Sequence, residues 1–280
     1  MNFVHKYIMK YNRLKLLLLI SIFITDINVT LSNDCYKEIH TKHFFGGMPQ
    51  GVPATNDLII RDSYCLSSND STKLADWVAY MLDIPTMTGT SIDRKWAADP
   101  WLDDSETLEP DDYTGANKAY KYDRGHQAPL ANFKGNRDIE TTNYLSNITP
   151  QKAELNQGAW KNLEDNERSL TQKYGLIYVM TGPIYNSIQQ ALLPSADESH
   201  KVPSDYWKII IIPLDNVNFK VFAFLFSQNT PRKSPIAEHL VTIKEVEKKS
   251  KLSFFSELDS KIKKNIDNYI DKKWFLENFK

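Results

Sequence analysis

An α+β fold with antiparallel sheet is what this sequence predicts, on three observations. The segments "IYVMTGPIY", "YWKIIIIP" and "FKVFAFLF" are nearly all apolar and rich in β-branched or aromatic residues, as buried central strands are. Other segments place apolar residues at helical spacing, the longest running from Thr149 to Gly175. Strands and helices do not alternate in regular βαβ units, which argues against a parallel sheet. With 280 residues, 41% of them hydrophobic, the chain can bury a large core.

The first 32 residues are set apart from the fold. Lys6, Lys10, Arg13 and Lys15 precede the apolar run "LLLLISIFIT", and Thr30 and Ser32 put small residues at a cleavage site after Ser32. That is the pattern of a secretory signal. The alternative, a membrane anchor, needs ~20 apolar residues, and this run is shorter. The expectation is therefore a cleaved signal, 1–32, followed by one domain, 33–280, that is secreted or periplasmic and has no membrane contact once processed. Without the signal the chain holds 30 Lys and Arg against 34 Asp and Glu, a formal charge of −4. Such a balance gives no compositional sign of a tight nucleic-acid binder. Cys35 and Cys65 form an even pair in an exported chain, which favours a disulfide; two free buried thiols are the alternative.

Residues 33–55, rich in Gly, Pro and Asn, read as an irregular entry. Asp57–Ser67 reads as a strand. "DSTKLADWVAYMLD" opens on cap residues and then repeats apolar positions, which predicts a helix over Thr72–Leu82. Ile84–Tyr120, broken by Pro, Gly and acidic clusters, reads as loop. After the three central strands, "TIKEVEKK" and "SELDSKIKKNIDNYI" read as surface helices. The long helix takes Thr149 as cap, Pro150 in its first turn and Gly175 as its stop. Ala159, Trp160, Leu163, Leu170 and Tyr174 share one face, and Asn156 falls among them. Glu164 and Arg168 lie on the flank, spaced i,i+4. An amide on an apolar face is costly without a partner; a backbone hydrogen bond or a ligand would each supply one. His126 raises a similar question in "YDRGHQAPLANF", where it is either a packed core residue or a base held for chemistry.

Taken together, "YTGANKAYKYDRGHQAPLANF", "NYLSNITPQKAELNQGAWKNLEDNER", "TGPIY", "YWK" and "FLFSQNTP" resemble, in order, the DNA/RNA non-specific endonucleases of the ββα-metal superfamily, above all the Serratia-type secreted nucleases. The resemblance runs from about Leu58 to Glu247. It implies a ββα-metal finger core, with antiparallel sheets flanking a long central helix. It also implies that His126 is the general base, that Asn156 holds one Mg²⁺ (Mn²⁺ substituting), and that Glu164 holds water on the ion. Arg94 would stabilise phosphate charge, Arg124 and Arg168 would bind the substrate, and Asn147 would orient groups near the phosphate. Asp123 would serve as structural support. DNA and RNA are the implied substrates, cut to 5′-phosphate products, and a homodimer is left open. The tail "DNYIDKKWFLENFK" has no counterpart in this resemblance. A DNA-entry or toxin-type nuclease with a dedicated partner is the alternative within the class. An inactive nucleic-acid-binding protein is the alternative outside it.

Overall fold

Among the described residues, 42–186 and 189–280 of this computed structural model, nine strands form. They are β1 (Asp57–Ile60), β2 (Cys65–Asn69), β3 (Leu74–Asp83), β4 (Tyr122–His126), β5 (Ile148–Lys152), β6 (Leu176–Ile184), β7 (Asp205–Pro213), β8 (Phe219–Ser227) and β9 (Leu240–Val241). Strands β4 and β5 pair as a two-stranded ribbon; the other seven make one sheet in the order β1-β2-β3-β6-β7-β8-β9. All these pairings are antiparallel. The α-helices of four residues or more are α1 (Ile84–Met87), α2 (Ala116–Tyr120), α3 (Lys161–Tyr174), α4 (Ile243–Ser250), α5 (Ser260–Asn268) and α6 (Lys272–Asn278). The expected signal segment and Cys35 lie outside the described residues.

Alternating side chains of the sheet feed two cores. Val78, Tyr80 and Leu82 face the layer that contains Trp160, Leu163 and Leu170. Trp77, Trp207, Ile209 and Ile211 face the opposite layer, with Ile243 and Val246 of α4 and Phe254. Because both faces are covered, the central strands read as unbroken apolar runs rather than as alternation. The chain is α+β, as expected.

Four readings of the sequence change. The single strand expected over Asp57–Ser67 is two strands, β1 and β2, joined by a turn and paired with each other. The segment expected as loop over Ile84–Tyr120 holds the short helices α1 and α2. The segment expected as a helix over Thr72–Leu82 is a tight turn followed by β3. Asn69 Oδ1 accepts from the Ser71 and Thr72 amides, and Lys73 adopts a positive φ of 61°, so the residues that look like a helix cap close a β-hairpin. β3 is paired on both edges and buried on both faces, and total burial imitates helical spacing. The long helix also begins later than expected. Thr149 and Pro150 belong to β5, where they oppose Gly125 and Arg124. Helical turns start at Ala153 and pass through a π-type turn, Asn156–Trp160, before α3.

The tail packs on the sheet through α6. Phe275 and Phe279 stack on each other at 4.5 Å, and both lie against Phe222. Asn166 of α3 accepts from the Lys280 backbone N–H and donates to the Lys280 carbonyl. No helix among the described residues is long and apolar enough to cross a membrane.

Among the described residues Cys65, at the start of β2, is a free, buried thiol, its Sγ 3.8 Å from the Ala79 carbonyl. Burial pushes this thiol well above the ordinary cysteine range, which suppresses the reactive thiolate. In a Cys35→Ser chain, Cys65 is expected to resist an aromatic disulfide reagent until the protein is unfolded. Stoichiometric labelling of the native protein would contradict that burial.

Candidate active site

The β4–β5 ribbon sets the site because its register fixes which side chains project into one cleft. His126 opposes Ile148, Arg124 opposes Pro150 and Asp123 opposes Gln151. Gly125 is required between them: a Cβ there would lie 2.7 Å from the Gln151 Cβ and 2.8 Å from its Oε1. The first turns after β5 then bring Asn156, Gln157, Lys161, Glu164 and Arg168 to the other side. The resulting cleft, about 600 Å³, is also lined by Arg94, Trp96, Tyr113, Asn117, Tyr122 and Ala131, along with Asp123, Arg124 and His126.

His126 is half-buried and packs at a tilt of 39° against Trp96, with ring centroids 5.2 Å apart. Its Nε2 lies 3.2 Å from Asn143 Oδ1. An amide oxygen can only accept, so Nε2 carries the proton and Nδ1 keeps a lone pair. Burial, opposed by the Asn143 hydrogen bond and reinforced by the Arg94 charge, lowers the imidazole to about 4. The ring is thus neutral near pH 7 and able to take a proton.

Asp123 organises the opposite wall. Its Oδ2 accepts from Asn156 Nδ2 at 2.9 Å and from Gln157 Nε2 at 2.7 Å, and its Oδ1 accepts from Asn117. Asn156 therefore offers its carbonyl oxygen, which makes no hydrogen bond with the described residues. Glu164 also makes none, and burial, strengthened by Glu167 and opposed by Lys208 and Arg168, raises it to about 7. Arg94 is exposed and free of ion pairs among the described residues, so its charge is available to a ligand. Arg124 is held more tightly. It donates to the Pro110 carbonyl at 2.6 Å and lies over the Trp96 and Tyr113 rings at 5.6 and 5.1 Å.

Arg168 turns to Asp165 and to Asn132 Oδ1 (2.7 Å) rather than to Glu164, which leaves the Glu164 carboxylate unpaired. Asn132 in turn donates to Glu167 at 2.7 Å. Behind the cleft Glu167 also accepts from Tyr80 and is paired with Lys208 at 2.5 Å; both ionised side chains are fully buried.

Asn147 stands elsewhere. It is fully buried, accepts from the Ala128 amide and donates to the Ala128 and Thr142 carbonyls. With every polar atom engaged by backbone, it braces the turn after His126 and does not line the cleft. Asn143, four residues earlier, is the asparagine that touches the imidazole. Nothing in the spacing of "NYLSN" separates these two; only the backbone path does. Trp96, Tyr113 and Asn117 were likewise missed, because they come from the segment read as loop.

The DNA/RNA non-specific endonuclease family matches residues 47–261 of this chain. The chain belongs to that family. The endonuclease is 44% identical over 224 residues to a nuclease of Serratia marcescens, covering 79% of this chain and 82% of that protein. It is 31% identical to human mitochondrial endonuclease G, covering 73% and 71% of the two chains. Among solved structures, the complex of EndoG with EndoGI, described as showing the mechanism of EndoG inhibition, superposes with a TM-score of 0.65 at 25% identity, covering 75% of this chain and 90% of that one. The ββα arrangement of ribbon and helix is thus the family's fold, and the chain is an endonuclease of that family.

Proposed function

We propose that this endonuclease is secreted and hydrolyses phosphodiester bonds of both DNA and RNA to 5′-phosphate products, with His126 as general base and one Mg²⁺ held by Asn156. The observation that carries it is a neutral imidazole, a free carboxamide oxygen and an unpaired half-buried carboxylate meeting in one cleft. The donor set fits the ion. One neutral oxygen ligand leaves most positions to water, as Mg²⁺ prefers, and Mn²⁺ suits the same oxygens. Glu164 sits where it can accept from such waters. Bound there, the cation would neutralise charge building on the phosphate and on the departing 3′-oxygen.

The chain's own residues supply the rest. His126 Nδ1 takes the proton of the attacking water, while Asn143 keeps the ring in the tautomer that allows it. Arg94 places an unpaired positive charge against the phosphate; Arg124 and Arg168, both braced, fix where the backbone lies. None of these contacts reads a base edge, which suits cleavage of either nucleic acid. The formal charge of −4 fits too, since positive charge is needed only along the cleft.

The deciding assay incubates supercoiled plasmid and a structured RNA with the secreted protein, with Mg²⁺ or with EDTA. Cleavage of both, abolished by EDTA and restored by Mg²⁺, is the expected result; a product carrying 5′-hydroxyl ends would refute the mechanism. Glu164→Gln is expected to raise the Mg²⁺ concentration for half-maximal rate by roughly 10–100-fold, the usual loss when a group orienting metal-bound ligands is changed. An unchanged Mg²⁺ dependence would place Glu164 outside the site.

A further inference from the structure

The turn that carries Asn156 is not a regular helix. Gly158 has φ −115° and ψ −114°, and the turn widens to π geometry over Asn156–Trp160, a feature that often accompanies function. What holds it there is the segment after β8. A Cβ on Gly158 would lie 2.4 Å from the Arg232 carbonyl oxygen and 2.5 Å from the Arg232 Cα, so two backbones are pressed together at this point. That segment is fixed to the ribbon by Gln228, which is fully buried. It accepts from the Lys152 amide at 2.8 Å and donates to the Pro150 carbonyl at 2.7 Å.

The Arg232 side chain lies over the same turn. Nη1 and Nη2 each donate to Gln157 Oε1 at 3.2 Å, and Nη2 also reaches the Ala153 carbonyl at 3.4 Å and Glu154 at 3.5 Å. Gln157 Nε2 donates to Asp123 Oδ2, the same oxygen that accepts from Asn156. Asp123 fixes the polarity of both amides, and Arg232 takes up the Gln157 oxygen that this leaves. A guanidinium has only donors and a carboxylate only acceptors. Gln157 must turn its oxygen to Arg232 and its amide hydrogens to Asp123, and Asp123 must receive the Asn156 amide hydrogens. Asn156 is left with one orientation, its oxygen towards the cleft.

We propose that Arg232 is a positioning residue that, through Gln157 and Asp123, presents the Asn156 oxygen to the cation. This rests on the metal-site reading above. It assigns a role to a residue outside the cleft lining that sequence reasoning did not single out.

The test is direct Mn²⁺ binding to the purified full-length secreted protein, followed by electron paramagnetic resonance of the free ion, beside thermal melts and DNA cleavage. Arg232→Ala and Gln157→Ala are each expected to weaken Mn²⁺ binding by roughly 10-fold, the low end for groups that orient a metal ligand. Their melting temperatures should stay near the parent's. Arg232→Lys, which keeps a donor for Gln157 Oε1, should recover most of the affinity. Unchanged Mn²⁺ affinity in Arg232→Ala, with only KM for DNA raised, would make Arg232 a substrate contact and overturn the proposal. Asn156→Ala separates the metal ligand from the relay that positions it. Loss of Mn²⁺ binding in it confirms the ligand on which the relay depends. Parental binding in it overturns the metal-site reading and the relay together.

Discussion

His126→Ala is expected to slow DNA cleavage at saturating Mg²⁺ by at least ~10², the lower end for a positioned general base, while affinity for uncleaved DNA stays near the parent's. The reason is the state of the ring. Burial, together with Arg94, holds it at about 4 against an ordinary 6.5, so it is a neutral acceptor across the whole neutral range. Between pH 6.5 and about 4 the unfolded chain protonates this histidine and the folded one does not. The unfolded state then binds more protons, and the stability associated with His126 falls as pH drops through that window. The acid limb that His126 sets on catalysis lies near 4, whereas Glu164, held at about 7, titrates above it. Single-turnover cleavage measured against pH tests both parts. A variant rate within about tenfold of the parent, well short of what a general base supplies, would remove His126 from the base role. In Glu164→Gln, where that carboxyl no longer titrates, activity that fails with a midpoint near 6.5 would contradict the neutral, half-buried ring.

Lys208→Met should destabilise the protein by about 3–5 kcal/mol, the cost of leaving a buried charge without its partner. Lys208 and Glu167 are both fully buried and 2.5 Å apart, and the ammonium also lies 4.5 Å above the Trp160 ring. Methionine fills much of the same volume, so the loss is electrostatic rather than a cavity. Tyr80 and Asn132 would still hydrogen-bond the stranded carboxylate, which limits the damage without replacing the charge. Adding Glu167→Gln to Lys208→Met removes the orphan charge and should recover a large part of the stability. The coupling between the two changes, read from urea denaturation of the four proteins, is the measurement. Additive losses would mean that the pair contributes nothing as a pair. The same network reaches the cleft through Asn132 to Arg168, so Lys208→Met should also impair turnover in the fraction that remains folded.

The sequence by itself settled a good deal. The three central strands were legible because their burial on both faces leaves unbroken apolar, β-branched runs. The sheet class followed from the absence of βαβ alternation. Spacing alone raised the two questions that matter for the site, a histidine after a glycine and an amide in an apolar stripe; the roles came from resemblance. What it misread has two physical causes, burial on both faces and pairing between distant segments. Period-based reading sees which residues are apolar, and a strand buried on both faces satisfies a helical template as well as a strand one, as β3 did. Thr149 and Pro150 resemble a helix start, but their pairing opposite Gly125 and Arg124 is a long-range event that no local signal encodes. The cleft belongs to the tertiary structure in the same way. Which of two asparagines four residues apart reaches His126 depends on the turns that carry them past the ribbon, and those turns place Asn143 on the ring and Asn147 against the backbone after His126, outside the cleft. The chain from Arg232 to Asn156 joins residues 76 positions apart, across a close approach that only glycine permits. Residue types announced the chemistry, and the packing of one backbone against another decided which atoms face it.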